Sequence, residues 1–376
     1  MTKYIVGIVA DFEKVSGVTS FLRNSFMKIK DSEIKFVAIN ISGSNDMDEE
    51  LTKLGWSVEH IVPANLSYRA HLKGWINLLM RTRFSFIYFN YSASWNILPV
   101  LLSKFFCHSI IAMHAHNVYF GSVAGKFKMK VLTILHKSGK KLISPFIDMR
   151  FSASEGASEW LFPKKDLSLV QIINNGVDLE KWDYNPTIRG KIRQFNNVQD
   201  MFVIINVGVL EPRKNQSFLL NVFFHVHEKN ANTELWIFGK GSLIDNLKQK
   251  VLDLGLEDCV CLWGSRNNIE SYFQAADVFV MPSVSEGLSV AYIEAQASAL
   301  PVVINKNLPL GTPVNRLIHP QSLNSSVESW VQEILSCKDE TRTSTKREMQ
   351  RNGYDSRDLL ISAEKIIEEF KELYEQ

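Results

Sequence analysis

The stretch Val278-Phe279-Val280-Met281-Pro282-Ser283-Val284-Ser285-Glu286-Gly287-Leu288-Ser289-Val290-Ala291-Tyr292-Ile293-Glu294-Ala295 decides the fold class. A short apolar run stops at a Pro-Ser loop, an acidic residue opens a glycine turn, and helix-forming residues follow. Strand, loop and helix in that order are the building unit of a parallel sheet covered by helices. Glu286 stands at the mouth of the helix and Glu294 about two turns inside it. Carboxylates accept hydrogen bonds from paired hydroxyls, and the open amides of a helix start hold phosphate. A polyol that carries phosphate, such as a sugar nucleotide, offers both kinds of group.

Working outward, the same alternation occurs twice. Apolar runs predict strands at 4–10, 34–41, 85–91, 109–113, 149–153 and 169–173, and then at 202–208, 234–238, 259–263, 277–281 and 301–304. Amphipathic segments between them predict helices, among them 18–29, 96–106, 125–137, 215–228, 242–253, 268–275, 289–298, 325–336 and 356–374. The chain therefore reads as an α/β protein with two doubly wound parallel-sheet domains, 1–185 and 186–355. The boundary is set among the breakers Asn175-Gly176 and Asn185-Pro186, and residues 356–376 are expected to form a helix that returns to the first domain. Ligands of such sheets bind beyond the carboxyl ends of the strands, and two such domains place them in a cleft. Gly17, His116, Gly208 and Glu286 each follow a predicted strand end.

Composition is that of an ordinary globular chain, 45% hydrophobic and 22% charged over 376 residues. The four cysteines lack metal-ligand spacing, which fits a reducing, cytoplasmic setting. No signal-peptide pattern opens the chain, and no apolar run reaches membrane-spanning length. Charge is uneven: the net is only +2, yet no acidic residue lies between Glu59 and Asp148, an interval with eleven Lys or Arg. No nucleic-acid recognition motif accompanies these cations. Trp75, Ile76, Leu78, Leu79 and Met80 lie among Lys73, Arg81 and Arg83, and Phe127, Met129, Val131, Leu132 and Leu135 among Lys126, Lys128, Lys130 and Lys137. Basic residues beside bulky apolar ones suit an anionic membrane surface, here the inner face of the cell membrane.

The Glu286-x7-Glu294 pair, inside Ser-Glu-Gly-Leu-x-x-x-x-Ile-Glu-Ala, resembles the signature of retaining glycosyltransferases of family 4, the GT-B proteins of two facing Rossmann-like domains. Val207-Gly208-Val209-Leu210-Glu211-Pro212-Arg213-Lys214-Asn215 resembles that family's phosphate-binding segment, and Trp236-Ile237-Phe238-Gly239-Lys240-Gly241 its next strand and glycine turn. The pattern is most similar to the branch that builds bacterial exopolysaccharides and capsules. The resemblance implies a metal-independent, cofactor-free hexosyltransferase that takes its sugar from a uridine or guanosine diphosphate sugar and passes it, with retention, to a lipid-linked or growing glycan acceptor.

It also implies roles. Glu294 would bind the ribose. Glu286 would contact the donor sugar, with the backbone of Gly287, Leu288, Ser289 and Val290 holding sugar hydroxyls and phosphate. Lys214, with Arg213, would neutralise the diphosphate leaving group, Gly17 would let the first loop approach the phosphates, and His116 would sit beside the reacting carbon, with His114 the alternative. Thus His116, Glu286 and Lys214 are the expected catalytic residues. Three positions depart from the pattern: Val209 replaces the usual Arg, Ser16-Gly17 replaces Gly-Gly, and Ala299 replaces a Gly. Val209 raises a second reading, a weak or inactive GT-B subunit that partners another transferase. A nicotinamide-dependent dehydrogenase is disfavoured, because no Gly-x-Gly-x-x-Gly turn follows the first strand.

Overall fold

The computed structural model describes residues 2–14, 16–120, 126–311, 313–314 and 316–376, with the side chains of 126–128 left aside. The chain divides into two compact units, Met1–Gly176 with Ser356–Gln376, and Val177–Asp355. Each holds a parallel sheet. The first contains β1 (Tyr4–Ala10), β2 (Ile34–Asn40), β3 (Ser57–His60), β4 (Phe86–Tyr91), β5 (Ile110–Ala115), β6 (Met149–Ser152) and β7 (Gln171–Ile172), in the spatial order β3-β2-β1-β4-β5-β6-β7. The second contains β8 (Phe202–Val207), β9 (Thr233–Phe238), β10 (Val260–Gly264), β11 (Val278–Met281), β12 (Val302–Asn305) and β13 (Ile318–Gln321), in the order β10-β9-β8-β11-β12-β13. Both orders reverse direction at the centre, between β1 and β4 and between β8 and β11. This is the doubly wound pattern, with its switch point in mid-sheet.

Strand periodicity explains the burial. In the second unit Phe202 and Ile204 of β8, Leu235 and Ile237 of β9 and Val278 and Val280 of β11 point to one layer, where Leu219, Phe223 and Trp330 meet them. Val203 and Ile205, Trp236 and Phe238, and Phe279 and Met281 point to the other, against Tyr292 and Ile293. Both faces are covered, so the strands read as continuous apolar runs rather than alternating ones.

The helix Ser356–Glu375 completes the first unit. Leu359, Ala363, Ile366, Ile367 and Phe370 form its buried stripe, and the Phe370 ring stacks on Phe86 at 4.8 Å between centroids. Each large apolar side chain buried there contributes roughly 1.5–3 kcal/mol before its entropic cost. Lys371 then pairs with Asp31 at 2.8 Å and Glu33 at 3.2 Å. At the other crossing the boundary falls at Gly176–Val177, upstream of the expected 185. The reason is packing: Val177, Leu179 and Trp182 are buried in the core of the second unit.

One expectation is corrected. Trp75, Leu78 and Leu79 do not face outward: they form the buried stripe of the helix Tyr68–Arg81, packed on β1, β2 and β4. Only Ile76 and Met80 of that group are exposed. In the helix Lys126–Ile143, by contrast, Val131, Ile134, Leu135 and Leu142 are exposed beside the exposed Lys130, Lys137 and Lys141. The side chains of Lys126, Phe127 and Lys128 lie outside the described residues. No helix among the described residues is long and apolar enough to cross a membrane.

Candidate functional site

In the second unit the loops leaving β8 and β11 flank the switch point. Asn206, next to last in β8, donates from Nδ2 to the Val280 carbonyl at 2.7 Å and so ties the two strands together. Beyond β8 the backbone runs hard against the loop after β9: Gly208 N–H donates to Phe238 O at 3.0 Å, and Leu210 N–H to Lys240 O at 2.9 Å. A Cβ on Gly239, whose φ is +138°, would lie 1.9 Å from Gly208 O. A Cβ on Gly208 would lie 2.8 Å from Lys214 Cε. Glycine is needed at both positions, at the first for backbone contact and at the second for room around the lysine stem.

That stem carries the Lys214 ammonium to 2.6 Å from Glu286 Oε1, while Arg213 Nη1 donates to Glu286 Oε2 at 3.0 Å. Lys214 and Glu286 are both buried. Burial pulls the Lys214 ammonium below its usual range, against the opposing pull of Glu286. Arg213 also reaches Glu211, Nε to Oε2, at 3.3 Å. The two loops are further joined by Val284 N–H to Arg213 O at 2.7 Å, and by Asn215 Nδ2 to Pro282 O at 3.2 Å. Two cations thus share one buried carboxylate at the crevice, an arrangement poised to exchange that carboxylate for a more highly charged anion.

Gly287 and Leu288 are buried, and Ser289 and Val290 partly so, at the start of the helix Val290–Ala297. The Ser289 side chain makes no capping bond. Glu294 lies apart from Glu286, partly buried within the helix. Its carboxyl is pushed up to about 8, first by burial and then by the charge of Glu270, with Lys181 pulling the other way. Lys181 itself pairs with Glu270 at 3.3 Å. Neither Lys181 nor Glu270 was marked by the sequence pattern. At the far end of this helix Ala299 N–H donates to Gln296 O at 2.9 Å and Leu300 N–H to Ala295 O at 3.0 Å. That is a Schellman closure, and Ala299 takes its left-handed position at φ +50°. An L-residue there costs about 1–2 kcal/mol, which explains why the family pattern carries glycine.

In the first unit His116 follows β5 and is buried, with Nε2 2.8 Å from Asn90 Oδ1. Asn90 Nδ2 donates to Val9 O at 3.0 Å, so His116 is anchored through β4 to β1 across the switch point. Burial pushes the His116 imidazole down to about 3, which keeps it neutral. His114 is a core residue: its Nδ1 lies 2.5 Å from the Tyr88 hydroxyl, and its ring stacks on His116 at 4.0 Å. Gly17 opens the helix Gly17–Asn24, and Phe21 of that helix sets its edge against both imidazoles, at 4.8 and 5.2 Å. Asn90 could have been found in the sequence as the lone amide in an apolar strand.

Residues 188–314 match the family described as Glycosyl transferases group 1. This segment contains Arg213, Lys214, Glu270, Glu286 and Glu294, and none of the first unit. The putative glycosyltransferase EpsF of Bacillus subtilis (strain 168) is 28% identical over 187 residues, 49% of each chain. An Escherichia coli UDP-Gal:alpha-D-GlcNAc-diphosphoundecaprenol alpha-1,3-galactosyltransferase is 34% identical over 142 residues, 36% of each chain. The aligned stretch thus spans half or less of these two relatives. Among solved structures, Anabaena Alr3699/HepE in complex with UDP and glucose superposes with a TM-score of 0.76, covering 98% of this chain and 100% of that one at 17% identity. That likeness shows the fold: two Rossmann-like parallel-sheet domains of the GT-B class. Within the group 1 segment the structure brings Arg213, Lys214 and Glu286 into contact, and the charge of Glu270 bears on Glu294.

Proposed function

We propose that the protein is a retaining, metal-independent hexosyltransferase. It would take its sugar from a uridine or guanosine diphosphate sugar and pass it to a lipid-linked or growing glycan acceptor in bacterial surface polysaccharide synthesis. The observation that carries this reading is the buried pair of Lys214 and Glu286, joined by Arg213, at the β8–β11 switch point inside the group 1 segment. Departure of a nucleoside diphosphate builds negative charge, and two fixed cations beside a helix start stabilise it without reorganisation. Arg213 supplies the second cation that Val209 lacks, which favours an active enzyme over an inert partner subunit. The acceptor proton passes to the leaving phosphate oxygen as the new glycosidic bond forms on the same face. Neutral His116 can hydrogen-bond the sugar without setting a cation beside a carbon that turns positive.

The test is a melting series with UDP, GDP, ADP and their sugar conjugates. At a hundredfold excess over Kd a true ligand adds about 2.7 kcal/mol of stability. A panel in which no nucleotide raises the melting temperature removes the donor-site reading.

We further propose that the protein works at the cytoplasmic face of the cell membrane. Support comes from the outward stripe Val131, Ile134, Leu135 and Leu142, flanked by Lys130, Lys137 and Lys141, in an interval without acidic residues. Each lysine near an anionic bilayer adds about 1 kcal/mol. The chain should sediment with anionic vesicles at low salt. Equal sedimentation with neutral vesicles would eliminate the electrostatic argument.

A further inference from the structure

The loop between β11 and Glu286 is held by its backbone as well as by the Glu286 side chain. Asn305 Nδ2 donates to Ser283 O at 2.8 Å, and Asn215 Nδ2 to Pro282 O at 3.2 Å. Val284 N–H donates to Arg213 O at 2.7 Å. Within β11 itself, Val280 O accepts from Asn206. Three asparagines on three separate elements therefore send their amide groups to one loop and the strand that feeds it. They stand near the end of β8, at the start of the helix Gln216–Lys229 and at the end of β12. β8 and β12 are the two neighbours of β11 in the sheet, so the loop is gripped from both sides.

Packing alone does not account for the three. Alternation along the strands puts Asn206 in the layer of Ile204, and Asn305 with Val303 in that same apolar layer. Both asparagines are buried, and a buried amide destabilises the fold unless its groups are matched. Asn305 is matched at both ends: its Oδ1 accepts from Asn307 N–H at 3.2 Å, which leaves its nitrogen turned to Ser283. Asn206 is not, since its Oδ1 is buried with no partner among the described residues. Asn215 holds a left-handed φ of +58°, and its side chain does not cap the helix it opens, although asparagine is among the best residues for that role. Asn206 and Asn215 each forgo a locally better arrangement, and each does so with its amide bound to the same segment.

The backbone of the loop is thus fixed by groups that carry no charge, whereas the Glu286 carboxylate is held by the charges of Lys214 and Arg213. On the donor reading both cations turn to the diphosphate, and the ion pairs then no longer hold the carboxylate. We propose that Asn215 and Asn305 are positioning residues for Glu286: they keep its loop in place when the cations are drawn off, so that the freed carboxylate meets a hydroxyl of the donor sugar. Neutral amides suit this task, because an arriving anion alters a neutral hydrogen bond far less than it alters an ion pair. The inference rests on the transferase reading and adds a link between two of its parts. Phosphate capture releases the group that recognises the sugar, and the asparagines stop the loop from following the cations.

The experiment is a calorimetric titration of the full chain and its variants with UDP, GDP, UDP-glucose, UDP-galactose and GDP-mannose. The quantity read is the ratio of Kd for a sugar nucleotide to Kd for its parent nucleotide, taken with the sugar nucleotide that binds the parent chain most tightly. Asn305→Ala should shift that ratio about 5- to 10-fold against the sugar, while Kd for the nucleotide alone changes by less than about twofold. Asn215→Gly should shift it about 2- to 5-fold with the melting temperature held or raised, because glycine takes the left-handed conformation without strain. This variant decides the matter if Asn305→Ala fails to fold. Glu286→Gln should lose the same sugar preference, and adding Asn305→Ala to it should move the ratio no further, the mark of a residue that acts through Glu286. The inference is overturned if both asparagine variants keep the parental ratio, or if they weaken nucleotide and sugar nucleotide equally, as a purely structural role requires. It is overturned too if Asn305→Ala has its full effect on top of Glu286→Gln. A parent chain that binds none of the nucleotides removes the donor reading and this inference together. A parent chain that binds them, with variants that fail any of these tests, removes this inference alone.

Discussion

Lys214→Ala should slow sugar transfer by about 10²- to 10³-fold, with a much smaller loss of nucleotide affinity. The asymmetry follows from the charges. In the proposed site the ground-state diphosphate would still find Arg213 and the helix start, whereas the charge that develops as the bond to the sugar breaks would lose the buried Lys214 ammonium. The substitution also strips Glu286 of its shortest partner. Breaking a buried pair costs up to about 3–5 kcal/mol, and here less, because Arg213 remains 3.0 Å away. Melting temperature must therefore be read beside kcat, and Lys214→Met, which keeps the apolar stem, separates the two effects. Turnover within a few-fold of the parent in a folded variant would end the leaving-group assignment.

The second large effect belongs to Glu294. Its carboxyl is pushed up to about 8, so in the unliganded protein it holds its proton at neutral pH. In the proposed ribose role the diol would donate to the ionised form, and binding would therefore expel that proton. Nucleotide affinity should rise about tenfold per pH unit between about pH 6 and 8 and level off above, with proton release in calorimetry. Stability runs the other way. A carboxyl raised above its unfolded value costs nothing while protonated and destabilises increasingly as pH climbs from about 4.5 to 8, by a few kcal/mol in full. Glu294→Gln should accordingly melt higher than the parent at alkaline pH yet bind nucleotide poorly and without the pH slope. A flat affinity profile in the parent, or an unaltered affinity in the glutamine variant, contradicts the ribose role.

The central strands were legible because both of their faces are buried. Runs such as Phe202–Val207 and Val278–Met281 are apolar throughout, and their ends were read to within a residue or two. The edge strands β3 and β13 escaped, since Ser57-Val58-Glu59-His60 and Ile318-His319-Pro320-Gln321 offer no such run, whereas β7 at Gln171–Ile172 lies inside the strand expected at 169–173. The helix Tyr68–Arg81 was misjudged for a different reason. Its lysine and arginines were weighed together with Trp75 as one block, although His71, Trp75, Leu78 and Leu79 recur at helical spacing and make an inward stripe.

At the site, Lys214 and Glu286 were legible through local context, yet nothing in the sequence says that they touch. The contact is created by the strand order, which sets β8 against β11 although two further strands separate them in the chain. Glu270 was illegible, because a glutamate near the start of a short helix is ordinary until the fold places it within reach of Glu294.

The interrupted first unit has a consequence for how the molecule is made. Its sheet leaves the ribosome first, but on the side lined by Val6, Phe36 and Phe86 the early residues Phe21, Leu22 and Phe26 give only part of the cover, and the rest waits for Leu359 to Phe370. At about 5–20 residues per second the whole second unit is translated, and can close around its own core, in the meantime. The half that begins the chain is thus the last to be sealed.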